Sequence, residues 1–155
     1  MITLRKMSVD DLPILFEHQN DPVVRAAGVI PFREREDYLA HCRRVIADDT
    51  VVTQSIWLDD QLVGNMVSFD HDGLREVGYV IDRQHWGKGI ASEALRLLLQ
   101  IEPRRPLSAR VSKHNLASLR VLQKNGFLIT SEHSYEEPDG RRFAEYLLTL
   151  TTETQ

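Results

Sequence analysis

Arg83-Gln84-His85-Trp86-Gly87-Lys88-Gly89-Ile90-Ala91 is the stretch on which the reading of this 155-residue chain turns. It follows an apolar run from about Leu74 to Ile81. It passes straight into a segment whose Ile90, Ala94, Leu97, Leu98 and Ile101 recur at helical spacing before Pro103. A strand therefore hands over to a helix across a glycine-bearing loop. The first amides of a helix have no intrahelical partners, and the helix dipole adds partial positive charge there. Gly87 and Gly89 carry no Cβ, so an anion can approach the backbone closely, while Arg83 and Lys88 add charge at the rim. A pyrophosphate suits such a loop. Gly87-Lys88-Gly89 taken alone fits an empty tight turn equally well.

Two common phosphate loops are excluded. The dinucleotide pattern G-x-G-x-x-G fails where Ser92 replaces its third glycine, and the nucleotide-triphosphate loop fails because Lys88 falls between the two glycines. The strands upstream also pair as hairpins instead of forming a parallel βαβ unit. About 52–58 and 62–69 alternate around Asp59-Asp60-Gln61, and His71-Asp72-Gly73 turns into the run that precedes the loop.

Further out, Ile2 and Leu4 suggest a short first strand. Ser8 with Asp11 forms an acidic capping box opening a helix that carries Leu12, Leu15 and Phe16 and ends near Asn20, where Asp21-Pro22 breaks it. Tyr38, Leu39, Cys42, Val45 and Ile46 mark a helix from about 33 to 47. Beyond the loop come a short strand at about 107–111 and a helix carrying Leu116, Leu119 and Leu122, stopped by Asn125-Gly126. Two strands, about 127–134 and 142–150, close the chain around Pro138-Asp139-Gly140. The expected fold is α/β (α+β): a mixed, mainly antiparallel sheet flanked by about four helices, in the order β-α-α-β-β-β-α-β-α-β-β. No repeat or linker interrupts it, so one domain over 1–155 is expected.

Two motifs in this order resemble those of the GNAT superfamily of N-acetyltransferases. Gln84-x-x-Gly87-x-Gly89 is similar to that family's Q/R-x-x-G-x-G/A signature. Asn115-x-x-Ser118, followed by Lys124-x-Gly126-Phe127, is similar to its second motif, above all in the branch acetylating ribosomal-protein N-termini. The resemblance implies acetyl-CoA as co-substrate, with its diphosphate on the loop and the sheet splayed near Val80 and Val111. Val80, Ile81, Asp82, Arg83, Gln84, Trp86, Gly87, Lys88, Gly89, Ile90, Ala91, Asn115 and Ser118 would hold it, with backbone amides of Val80 to Asp82 meeting the oxyanion. The acceptor is then a primary amine, on a peptide N-terminus or a small molecule.

An alkylamine is mostly protonated at neutral pH, so a base must take a proton. Glu76 stands where related enzymes often carry a glutamate; a solvent-facing strand residue is the equal alternative. The tyrosine that many relatives use as general acid is replaced by Leu122, which leaves Ser118 as the substitute. A helix serine bonded to its own backbone is the other reading of Ser118. The missing tyrosine also keeps open a non-catalytic coenzyme-binding module.

The remaining features narrow the class. A net charge of −4 disfavours nucleic acid, and no run is long enough to span a membrane. A single cysteine, Cys42, precludes an internal disulfide and suits the cytoplasm. The six histidines lack metal spacing, so no metal is expected. His85 and His114 flank the two motifs, where a phosphate contact or a base is one reading, and exposed loop residues are the expected one. Trp86 covers either the coenzyme or a subunit contact, which leaves a homodimer open.

Overall fold

A computed structural model of the chain describes residues 1–28 and 33–151. Seven strands form one sheet in the order β1-β2-β3-β4-β5-β7-β6, where β1 is Ile2–Lys6, β2 Val52–Leu58, β3 Gln61–His71, β4 Leu74–Ile81, β5 Leu107–Ser112, β6 Leu128–Glu136 and β7 Arg142–Leu150. Every neighbouring pair is antiparallel except β4 with β5. Among the described residues five α-helices accompany it: α1 Leu12–Asn20, α2 Pro22–Gly28, α3 Arg35–Ala47, α4 Ile90–Ile101 and α5 Leu116–Lys124.

Strand alternation sorts the apolar side chains into two cores. Ile56 packs with Val63, Val77 and Ile81 under α4 and α5, where Leu95, Leu98 and Leu122 are fully buried. Its neighbour Trp57 points the other way, against Leu12, Leu15, Phe16, Tyr38 and Leu39 of α1 and α3. Of the stripes read from the sequence, Ile90, Ala94 and Leu98 of α4 and Leu119 and Leu122 of α5 enter the core, whereas Ile101 and Leu116 stay exposed; Leu95 and Leu99 complete the buried face of α4.

The helix α2 departs from expectation. Asp21-Pro22 does end α1, but it also starts the next helix. Asp21 Oδ1 accepts the Val23 amide at 2.8 Å, and Pro22 occupies the first helical position, where its missing N–H costs nothing. The expected capping box is present: Ser8 and Asp11 bond reciprocally, although they open a short 3-10 turn that runs into α1.

The parallel pair sets the position of the site. Strands β4 and β5 share a single registered pair, Glu76 with Ser108. From there toward Ile81 and Ser112 they separate, so the sheet is split at its centre. The edges next to the gap are held by full antiparallel partners, β3 on one side and β7 on the other.

Candidate active site

The gap between β4 and β5 opens into a cleft of about 410 Å³. Its walls are the end of β4, the loop into α4, the first turns of α4 and α5, and α2. The loop leaves β4 through Asp82, whose amide donates to Val63 O at 2.8 Å. Its carboxylate accepts the Gln84 amide and meets His85 Nδ1 at 3.2 Å. Trp86 then folds back so that its indole N–H donates to Ile81 O at 2.9 Å. These bonds fix a sharp turn, which Gly87 and Gly89 complete at φ 78° and 75°. Both lie in the left-handed region, and no protein atom stands within 4 Å of where a Cβ would sit. Gly89 is the N-cap of α4 and offers no side chain to the helix's first amides. The site thus has free room, bare amides and the positive end of a 12-residue helix at one place, which fits a diphosphate.

Most of the residues expected from the sequence meet here. Val80, Ile81, Trp86, Gly87, Gly89, Ile90, Ala91, Asn115 and Ser118 all line the cleft. Asn115 caps α5 by accepting the Ser118 amide at 3.2 Å, and its own amide group donates to Ala27 O at 3.2 Å. The second motif therefore ties α2 to α5 across the cleft. Backbone N–H groups alternate in direction along a strand, so with Asp82 bonded to β3 the Ile81 amide points toward the gap.

Others sit apart from the cleft lining. Asp82 shapes the loop from beneath. Gln84 and Lys88 are exposed, and Arg83 reaches Asp21 at 3.7 Å instead of the glycines. Glu76 is neither solvent-facing nor on the cleft wall. It is 3% exposed, both carboxylate oxygens lie 3.2 Å from Arg110 Nε, and His71 Nδ1 lies 2.9 Å away. The reason is strand parity: Glu76 and Arg110 project from neighbouring strands at the apex of the gap, 34 residues apart in sequence.

His85 corrects an expectation as well. It is 7% exposed, lines the cleft, and belongs to a cluster in which His18 Nε2 lies 3.9 Å from Asp82. Burial lowers the pKa of His18, with Asp82 opposing and His85 adding to that effect. His114 is exposed as expected and meets Ala26 O at 3.2 Å. Sequence reasoning missed Val24 and Ala27, which belong to the unforeseen α2, and Tyr79, Ala117, Arg120 and Val121. The strand pattern alone could have placed Tyr79 on the face of Val77 and Ile81, toward α4 and α5. Leu122 is 1% exposed within the core. Among the described residues, no group of three His, Cys, Asp or Glu side chains is placed to hold a metal ion. No described helix is long and apolar enough to cross a membrane.

Comparison with known proteins adds three findings. Residues 1–128 match the model of the Acetyltransferase (GNAT) domain. An uncharacterised N-acetyltransferase, p20, of Bacillus licheniformis is 30% identical over 169 aligned residues, covering 96% of this chain and 92% of that protein. Among solved structures, spermidine N-acetyltransferase from Vibrio cholerae, in complex with CoA and spermine, superposes with a TM-score of 0.84. Its identity is 17%, over 97% of this chain and 95% of that one. A GNAT-family acetyltransferase from Bacillus anthracis gives a TM-score of 0.80 at 22% identity, over 97% and 94% of the two chains.

Proposed function

Since the chain belongs to the GNAT family of acetyltransferases, we propose that it transfers the acetyl group of acetyl-CoA to a primary amine in the cleft between β4 and β5. The observation that carries this reading is the pairing of a split sheet with the Gly87 and Gly89 turn at the mouth of the split. A diphosphate on the loop directs the attached arm inward along β4, where the Ile81 amide faces it. Acetyl-CoA supplies the activated acetyl group; the chain's own residues hold and orient it.

Within that reading Glu76 takes the amine's proton. Its support is its place at the apex of the gap, where the inner end of a ligand laid along β4 would lie. With both oxygens facing Arg110, it acts across a bridging water. Ser118 serves the departing sulfur from the first turn of α5, inside the cleft. The acceptor we propose to be a peptide N-terminus, by the resemblance of the second motif to the ribosomal-protein branch, or a small-molecule amine. A binding module without chemistry loses its main motive, because hydroxyls face the cleft although Leu122 does not supply one.

Thiol release from acetyl-CoA, followed with peptides beginning in alanine or serine and with small primary amines, tests the reading. Acceptor-dependent release is expected, reduced about a hundredfold or more in Glu76→Gln if that residue is the base. Coenzyme binding without release on any acceptor would contradict acetyl transfer.

A further inference from the structure

The cleft contains a second hydroxyl beside Ser118. Tyr79, on β4, crosses to α5 and places its Oη 2.6 Å from Ser118 Oγ. Both residues line the cleft, so the pair spans its two walls. Leu122, one helical turn beyond Ser118 on the same face of α5, is sealed in the core and offers no proton. The phenol that α5 lacks at Leu122 is brought in from the opposite strand.

The chemistry of the leaving group shows why this matters. A departing thiolate has an ordinary pKa near 8.5, and a phenol near 10. An alkyl hydroxyl is a far weaker acid, so Ser118 acting alone would have to end as an alkoxide. Beside a phenol it need not. Resting on the acetyl-transfer reading above, we infer that Tyr79 is the proton source for the departing coenzyme sulfur, with Ser118 passing the proton on.

As the amine nitrogen bonds to the acetyl carbon, the carbon–sulfur bond breaks and its electron pair goes to sulfur. The Ser118 proton moves to that sulfur, and the Tyr79 proton moves to Ser118 Oγ. The products are an amide, a thiol, an intact serine and a tyrosinate. The proton shed by the amine reaches solvent, and solvent reprotonates Tyr79. Burial raises the Tyr79 phenol above its usual range, with the Ser118 hydrogen bond opposing it. The resting state is therefore the protonated, donor-ready form at neutral pH.

The test compares wild type, Tyr79→Phe, Ser118→Ala and the double variant for thiol release on an accepted amine, with calorimetry of CoA binding alongside. Each single variant is expected to lose about a hundredfold or more in kcat, with CoA affinity in Tyr79→Phe staying within about twofold. The double variant is expected to be no slower than the slower single, because the two hydroxyls act as one unit. Site-specific replacement of Tyr79 by difluorotyrosine keeps the hydroxyl but makes it more acidic. It should draw the alkaline fall of kcat to lower pH, which a packing role would not do.

A Tyr79→Phe enzyme with wild-type kcat, a double variant losing the product of the single effects, or an unmoved alkaline limb overturns the inference. Should Tyr79→Phe fail to fold, the difluorotyrosine protein decides it. If wild type turns over and these variants behave otherwise than stated, only the role of Tyr79 falls. If wild type releases no thiol with any amine, acetyl transfer falls and this inference with it.

Discussion

Replacing Gly64 by alanine should damage stability and coenzyme binding together, because of what its backbone faces. Gly64 lies on β3 opposite Ile81, the strand end that borders the cleft. A Cβ there would stand 2.4 Å from Val80 O and 3.2 Å from Ile81 Cα, both backbone atoms that cannot rotate away. Ordinary carbon–oxygen contact is about 3.3 Å, so β4 must retreat by about 0.9 Å. The adjacent bond from the Asp82 amide to Val63 O, now 2.8 Å, would then exceed hydrogen-bonding range. Overpacking costs about 1–3 kcal/mol and a lost hydrogen bond about 1 kcal/mol more. A loss near 3 kcal/mol corresponds to about 6–12 °C in Tm for a chain of this size.

Because Val80 and Ile81 line the cleft, coenzyme affinity should fall about tenfold or more with it, one decade being about 1.4 kcal/mol. Gly78→Ala is the control. Its Cβ would meet Val67 Cγ2 at 3.8 Å and Phe69 Cε1 at 3.9 Å, ordinary contacts, so stability should hold or rise by up to about 1 kcal/mol. Denaturant melts and calorimetry read both variants. A Gly64→Ala protein as stable as wild type, or a Gly78→Ala protein damaged more, would refute the reasoning.

Buried charge gives two further outcomes. Glu102 is 1% exposed and accepts from Arg75 Nε and Nη2 at 3.3 and 3.1 Å, so Glu102→Ala leaves those two buried donors unpaired while Nη1 keeps Thr50 O at 2.7 Å and Asp70 at 3.4 Å, and should cost about 1–3 kcal/mol in urea melts. CoA affinity should not change, since neither residue lines the cleft. Burial holds the pKa of His18 below 6.5, so the unfolded chain binds the proton first. Stability is therefore full above pH 6.5 and falls as pH drops below it, by at most about 1.4 kcal/mol per unit for this group. His41, also lowered by burial, adds a loss of the same sign. In His18→Gln the slope should be shallower; an unchanged slope in acid melts would remove His18 from the account.

The strands and helices are legible in the sequence wherever burial imposes a period. The alternation at Ile56 and Trp57 and the stripe Ile90, Ala94, Leu98 need no tertiary knowledge. The loop is legible because two glycines before a helix have a local physical reason, and both adopt positive φ. What escapes is what depends on distant partners. Asp21-Pro22 signals a stop and a start with the same residues, and α2 is only seven residues long. Glu76 alternates like any strand residue, and nothing local announces Arg110 behind it. Tyr79 reads as one more aromatic on a strand, since its partner Ser118 lies 39 residues away. His85 looks like a loop residue because its burial comes from the way Asp82 folds the turn over it.

The central claim is that the Gly87 and Gly89 turn clasps the coenzyme's diphosphate. Calorimetric titration of CoA into wild type and into Gly89→Ala measures it most directly. Alanine at φ 75° costs about 1–2 kcal/mol of backbone strain and meets no protein atom, so the fold should survive while the turn relaxes. Wild type should bind saturably, and the variant at least about tenfold more weakly, equivalent to about 1.4 kcal/mol. No heat of binding to folded wild type, or equal affinity in both proteins, would contradict it.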